Sequence, residues 1–461
     1  MTQFETVVHP LVVILPFYGI ALALLVGLVI EAIATYKKRA WSIPALAVYG
    51  TTFVWYFVEL VYTPENVQAF SQEVLENCYL QIMLFLGCFR LLLPPLSNRL
   101  IRSVRPSENL FAFDPARLLT VLAFLWAVLL AYGTSRTNGN LLAALFPVAS
   151  RAGGQMWERA AAAGAGPTGF IVSAASYTYL LVCSFFGTLL PLQTKPSAKW
   201  FNGLIFLVVL PYYILLGARN QLLAVVFPAY FSYALFSRHK WWVKLLLTAS
   251  LFLLLNQALT LIIAYRNVGF GALFDGSSIG GAPLVEQKHL GLNMLEELCY
   301  VNTFYQEGLL QLSYGDRYLA ELANVIPRVL WPGKPLIGID YALLRGFGGG
   351  SSDIGVFATS STGFLGQGIV NFGPFFGAIA PAFLLALWTA FLSRLWVQSQ
   401  SSLRLCLFLA ALGVTFNLGR DITLLVLFPI VFGYGLVLLL EAIGKRRSPT
   451  FPSSPPKRNA P

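Results

Sequence analysis

Long apolar runs alternate with short polar breaks along most of the chain, and the lengths of those runs predict membrane-spanning helices. A helix needs about 20 predominantly apolar residues to cross a bilayer. Eleven stretches approach that length: 11–35, 43–62, 75–94, 116–133, 168–192, 200–217, 221–237, 241–265, 366–392, 405–418 and 422–442. The fold class expected is therefore an all-α polytopic membrane protein of about eleven transmembrane helices. Residues 1–265 hold helices one to eight, with a secondary outer loop at 134–167; 266–365 form a large loop, and 366–442 hold helices nine to eleven. The Pro-, Ser-, Lys- and Arg-rich tail 443–461 reads as a disordered end.

The loop at 266–365 is far longer than a connector needs, since structureless loops beyond about 12–15 residues are uncommon and often functional. Leu290, Leu292, Leu295, Leu298, Val301 and Leu309 recur at helical steps and predict an amphipathic helix on the surface of the bundle or membrane, with Glu296 and Glu297 partly on its wet face. Gly315-Asp316 breaks that pattern. A second short helix is expected over Tyr318–Val325, ended by Pro327, and a Gly-rich segment follows Pro335.

Charge gives the orientation. Lys and Arg mark the cytoplasmic side of short loops. They follow the first span (Lys37, Lys38, Arg39), the third (Arg99, Arg102, Arg105), the fifth (Lys195, Lys199), the seventh (Arg238, Lys240, Lys244), the ninth (Arg394, Arg404) and the last (Lys445, Arg446, Arg447). This parity predicts an outside N-terminus and a cytoplasmic C-terminus. The first span lacks the leading Lys or Arg of a cleavable signal peptide. Split by side, the net charge of +11 becomes nineteen basic residues against four acids inside and eleven against fifteen outside, with Glu59 and Arg90 deep in the membrane. The basic excess is thus an orientation signal, and no nucleic-acid partner is implied.

Composition narrows the classes further. With 57% hydrophobic and 11% charged residues, against about 25% charged in an ordinary soluble protein, both disorder and a set of soluble domains are excluded. Five cysteines are too few for a disulfide scaffold. Cys78, Cys88, Cys183 and Cys406 read as small residues in or beside spans, and Cys299 as external without an obvious partner. No Walker-type phosphate loop occurs, three scattered His offer no ligand cluster, and no close Asp-x-Asp pair suggests a metal cage, so no cofactor and no metal is expected. Glu59 and Arg90, as the only deep charges, give little support to proton-coupled transport.

Arginine at the outer rim is the informative presence. Arg219 lies in the hairpin Gly217-Ala218-Arg219-Asn220, Arg266 closes span eight, and Arg420-Asp421 fills the turn between spans ten and eleven. Arg328 lies in Ile326-Pro327-Arg328-Val329-Leu330-Trp331-Pro332-Gly333-Lys334-Pro335. The planar guanidinium grips phosphate bidentately, and the anion natural to that depth is a lipid-linked pyrophosphate. An arginine at a helix end also snorkels to the interface, a reading open above all to Arg266, while Arg420 may be read as the ion partner of Asp421. Arg136, Arg151 and Arg159 read as solvated surface.

The run Ile326–Pro335 resembles the signature of the Wzy or O-antigen polymerase family, the oligosaccharide repeat-unit polymerases. Gly217–Asn220 is similar to that family's Gly-x-Arg hairpin, Thr359–Gly368 with Asn371-Phe372-Gly373 to its return into the membrane after the loop, and Gly419-Arg420-Asp421 to its late Arg–acid turn. The resemblance spans about residues 200–442. It implies a metal-independent, inverting glycosyltransferase of the GT-C type in the bacterial inner membrane. The substrates implied are a polyprenyl-pyrophosphate-linked oligosaccharide donor and an acceptor of the same kind, in contact with membrane lipid, with a chain-length regulator and a flippase as further partners. Arg219, Arg328 and Arg420 would hold the donor pyrophosphate. Lys334, Arg266, Trp331, Arg317 and Arg345 would contribute to substrate binding. The base for the acceptor hydroxyl is left among Glu297, Asp316, Asp421 and His289. Two other readings stay open: an O-antigen ligase, and a lipid-linked oligosaccharide flippase or transporter.

Overall fold

The computed structural model describes residues 15–103, 114–147, 156–157, 167–216, 219–265, 293–323, 326, 331, 333, 339–346, 361–422 and 424–447. Among these the chain is all-α, without strands. Helices occupy all eleven expected stretches: α1 (Leu15–Thr35), α2 (Ser42–Tyr56) continued after a break by α3 (Val58–Tyr62), α5 (Gln72–Arg102), α6 (Pro115–Arg136), α8 (Pro167–Leu189), α9 (Pro196–Leu215), α10 (Arg219–Phe236), α11 (Trp241–Tyr265), α15 (Gly363–Val397), α16 (Ser402–Leu418) and α17 (Leu424–Arg447). Short helices fill the connections: α4 (Glu65–Gln68), α7 (Leu141–Leu145), α12 (Met294–Gln306), α13 (Asp316–Ala323) and α14 (Ile339–Leu344). Eight helical segments are long and apolar enough to cross a membrane; α10, α11 and α16 fall short of that standard over the described residues. The last helix continues to Arg447, five residues into the predicted tail.

Local chemistry explains the boundaries. Pro115 and Pro196 start their helices, where a missing N–H costs nothing. Ser71 caps α5 by accepting from the Val74 amide at 3.4 Å, and Asn140 caps α7 from Ala143 at 3.0 Å. Two apolar cores result. One joins α1, α2, α5 and α12 with the first half of α15; the other joins α6, α8, α9, α10, α16 and α17 with its last turns. At the Lys/Arg-rich end of the bundle, Arg404 forks onto Glu441 at 2.9 and 2.8 Å, and Arg90 onto Glu31 at 2.7 and 2.5 Å.

Two loop expectations are corrected. The helix found at 294–306 does not lie on a surface: Leu295, Leu298, Cys299 and Val301 are fully buried, packed between α5 and α15. Glu296 and Glu297 are buried with them, because Arg345 neutralises both at 3.7 and 3.1 Å. Glu59 is the cap of this helix: its Oε2 accepts from the Leu295 and Glu296 amides at 3.0 and 3.2 Å, two donors every helix start leaves open. The second loop helix spans 316–323.

Helix α15 is two helices. Gly373 has φ 81 and ψ 175, a conformation essentially restricted to glycine, and there the chain reverses. Residues 363–372 form a half-helix folded back on 374–397, and Gly368 lies against the backbone of Gly377, an approach that no side chain would allow. Every residue from Gly363 to Asn371 is buried.

Candidate functional site

The half-helix positions the site. About 10 residues rising 1.5 Å each make it roughly 15 Å long, so its N-terminus lies well below the turn at Gly373. There the Phe364 amide donates to the Gly419 carbonyl at 3.4 Å, and the Leu365 amide to the Tyr56 hydroxyl at 3.2 Å. Gln367 brackets Ile422, donating to its carbonyl at 3.3 Å and accepting from its amide at 3.0 Å. At the other end Asn371 holds the loop: its Oδ1 accepts from Ser313 Oγ at 3.0 Å and from the Gly315 amide at 3.1 Å. The 17 residues of α16 rise about 26 Å from the basic end, which leaves the 419–422 turn just short of the opposite face of a core about 30 Å thick.

Arg420 and Asp421 occupy that turn, both half-buried. Arg420 Nε donates to Ser361 Oγ at 2.6 Å. Burial pushes the Asp421 carboxyl up to about 6, against the opposing pull of Ser361, Arg420 and the Thr362 amide; Glu297 adds to the rise. Arg219 is the first residue of α10, half-buried. The next residue, Asn220, accepts from Asn417 Nδ2 at 3.0 Å, which ties the start of α10 to the end of α16. The two hairpin arginines, 201 positions apart, are thereby drawn to one end of the second core.

A residue not singled out from the sequence completes the cluster. Glu321 on α13 is buried with no partner for its Oε2 among the described residues, and burial, then the charge of Asp421, raise its carboxyl to about 8. Tyr318, one helical turn earlier, stacks on Phe372 at 6.3 Å and has an unpartnered hydroxyl, raised by burial and by Asp421. The i, i+3 spacing of Tyr318 and Glu321 was the available signal. An isolated acid in a loop helix otherwise reads as a solvated charge.

The other candidates separate. Glu297 is fully engaged: Arg345 donates to it from Nε at 3.3 Å and Nη2 at 3.1 Å, and the Tyr341 hydroxyl donates to its Oε2. Arg345 also lies over the Tyr300 ring at 3.5 Å, so it is spent on the fold. Asp316 is exposed at the start of α13, Arg317 beside it is half-buried, and Trp331 is exposed. Arg328, Lys334, Arg266 and His289 lie outside the described residues. No family model, no curated protein and no solved structure matches this chain.

Proposed function

We propose that this chain is a polysaccharide polymerase of the bacterial inner membrane, with its N-terminus outside and its C-terminus cytoplasmic. In this reading it has eleven crossings and a GT-C-like fold, and transfers a growing glycan from a polyprenyl-pyrophosphate carrier onto an incoming lipid-linked repeat unit. The observation that carries the proposal is the Arg420–Asp421 turn at the N-terminus of a buried half-helix, with the Arg219 hairpin tied alongside. A guanidinium suits a phosphate, and a nearby carboxylate suits a hydroxyl proton.

In the reaction the acceptor hydroxyl oxygen bonds to the anomeric carbon of the donor as the bond from that carbon to the pyrophosphate oxygen breaks. Asp421, ionised at neutral pH, takes the hydroxyl proton. Arg420 and Arg219, with Arg328 from the loop, stabilise the charge that develops on the departing lipid pyrophosphate. Glu297, saturated by Arg345 and Tyr341, holds the loop and does not serve as the base.

Purified protein with lipid-linked repeat units tests the reading. A ladder of products supports a polymerase, and a single transfer to a lipid A core acceptor supports a ligase. A transporter is the second reading, favoured by the break between α2 and α3 and by the half-helix, since discontinuous helices surround transporter substrate sites. It would give neither product but would move the lipid-linked glycan across proteoliposomes. Arg328→Ala and Arg420→Ala should abolish the ladder with the protein still inserted; a normal ladder in either variant overturns the assignment.

A further inference from the structure

The seam between α5 and α12 brings two thiols together. Cys78 Sγ and Cys299 Sγ are 3.6 Å apart, both fully buried. One turn along each helix, Gln81 and Asn302 exchange reciprocal side-chain bonds at 2.8 and 3.0 Å, and Asn302 also donates to Cys78 Sγ at 3.5 Å. The matching i, i+3 pairs fix the register of one helix against the other, so the two sulfurs face each other by construction. A disulfide needs about 2.05 Å, a closure of about 1.5 Å shared between two side chains.

Compartment decides whether such a pair stays reduced. Cys78 is six residues, about 9 Å, from the start of α5 at Gln72, the end opposite its basic last turn. Cys299 is on the large loop, on the same side. With the Lys/Arg end cytoplasmic, the end of α5 that carries Cys78 adjoins the oxidising compartment, where disulfides form and persist.

We infer that Cys78 and Cys299 form a disulfide that staples the loop helix α12 to the transmembrane helix α5. The inference rests on the proposed orientation and is independent of the transfer chemistry. Each thiol gives up one proton and one electron; a sulfur–sulfur bond forms, and the disulfide of an oxidised dithiol carrier protein in the outer compartment is reduced to two thiols through a mixed disulfide. Because both sulfurs are buried once α12 has docked, the exchange precedes docking. The staple sets the position of the Glu59-capped start of α12, and through Glu297 and Arg345 that of the loop over the site.

The test is alkylation of the full-length protein, denatured directly from membranes without reductant, followed by peptide mass spectrometry. The expected result is a linked pair of peptides carrying Cys78 and Cys299, lighter by two hydrogen atoms than their sum, with Cys88, Cys183 and Cys406 alkylated as thiols. Cys78→Ser should release Cys299 for alkylation, and Cys299→Ser should release Cys78. Orientation is read separately, from labelling of Glu307→Cys by a membrane-impermeant maleimide in intact cells. If position 307 labels from outside while Cys78 and Cys299 are both alkylated without reductant, the disulfide inference fails and the orientation stands. If position 307 is protected from outside reagent, the orientation fails and the disulfide with it.

Discussion

Burial raises the Asp421 carboxyl to about 6 and the Glu321 carboxyl to about 8, so the proposed transfer should have a rate that is bell-shaped in pH. At pH 7 a carboxyl titrating near 6 is about 91% ionised, and at pH 5 about 9%, so the rate should fall roughly tenfold between them. Above pH 8 the ionisation of Glu321 places a second negative charge beside Asp421 and the pyrophosphate, and the rate should fall again. Asp421→Asn should cost about 10²–10⁴-fold, the range for a lost general base. Glu321→Gln should keep the acidic limb and lose the alkaline one. The assay is the initial rate of ladder formation from purified lipid-linked repeat units between pH 5 and 9. Both carboxyls are raised by burial, so the folded state holds their protons more tightly than the unfolded chain. Their contribution is present at low pH and is lost as pH rises from about 4 to 8. Tm should therefore fall while the rate climbs, which separates loss of the base from acid unfolding. A rate independent of pH over this range, or a wild-type rate in Asp421→Asn, would refute the reasoning.

Other perturbations follow from the same geometry. Arg219→Ala should slow transfer about 10²–10³-fold, the cost of one lost electrostatic stabiliser, with little change in Tm; an unchanged rate removes Arg219 from the site. Gly373→Ala, forced into a conformation nearly exclusive to glycine, should lower stability by about 1–3 kcal/mol, read as a drop in Tm in detergent. Arg404→Ala leaves the buried Glu441 carboxylate without its guanidinium and with the Ser401 hydroxyl still donating to it, and should cost about 3–5 kcal/mol, whereas Arg404→Met with Glu441→Leu should be close to neutral. Equal losses in both would show that the pair itself, not the orphaned charge, carries the stability.

The chain by itself determined the helices. Apolar length placed every expected stretch on observed helix, because a run of that length must satisfy its backbone internally, but α5 runs eight residues past its stretch and the ninth, 366–392, crosses the reversal at Gly373. Lys/Arg parity placed Arg404 and Arg39 at one end, and there the structure pairs them with Glu441 and Glu31. The Arg420–Asp421 turn and the Arg219 hairpin were legible because charged residues in tight turns between apolar runs stand out.

What the tertiary structure alone decided is which polar groups face one another inside the bundle. The period of α12 reads as half-wet, yet both glutamates are buried, because Arg345 arrives from 48 residues away to neutralise them. Glu59 reads as a deep charge in a span and proves to cap a helix from the distant loop. Glu321 gained its meaning only from Asp421, exactly 100 positions on. Cys299 lacked a visible partner for the same reason, with Cys78 lying 221 positions away. Periodicity reports the average environment of a face. Long-range pairing between buried polar groups depends on which helices pack together, and a local pattern does not encode that choice.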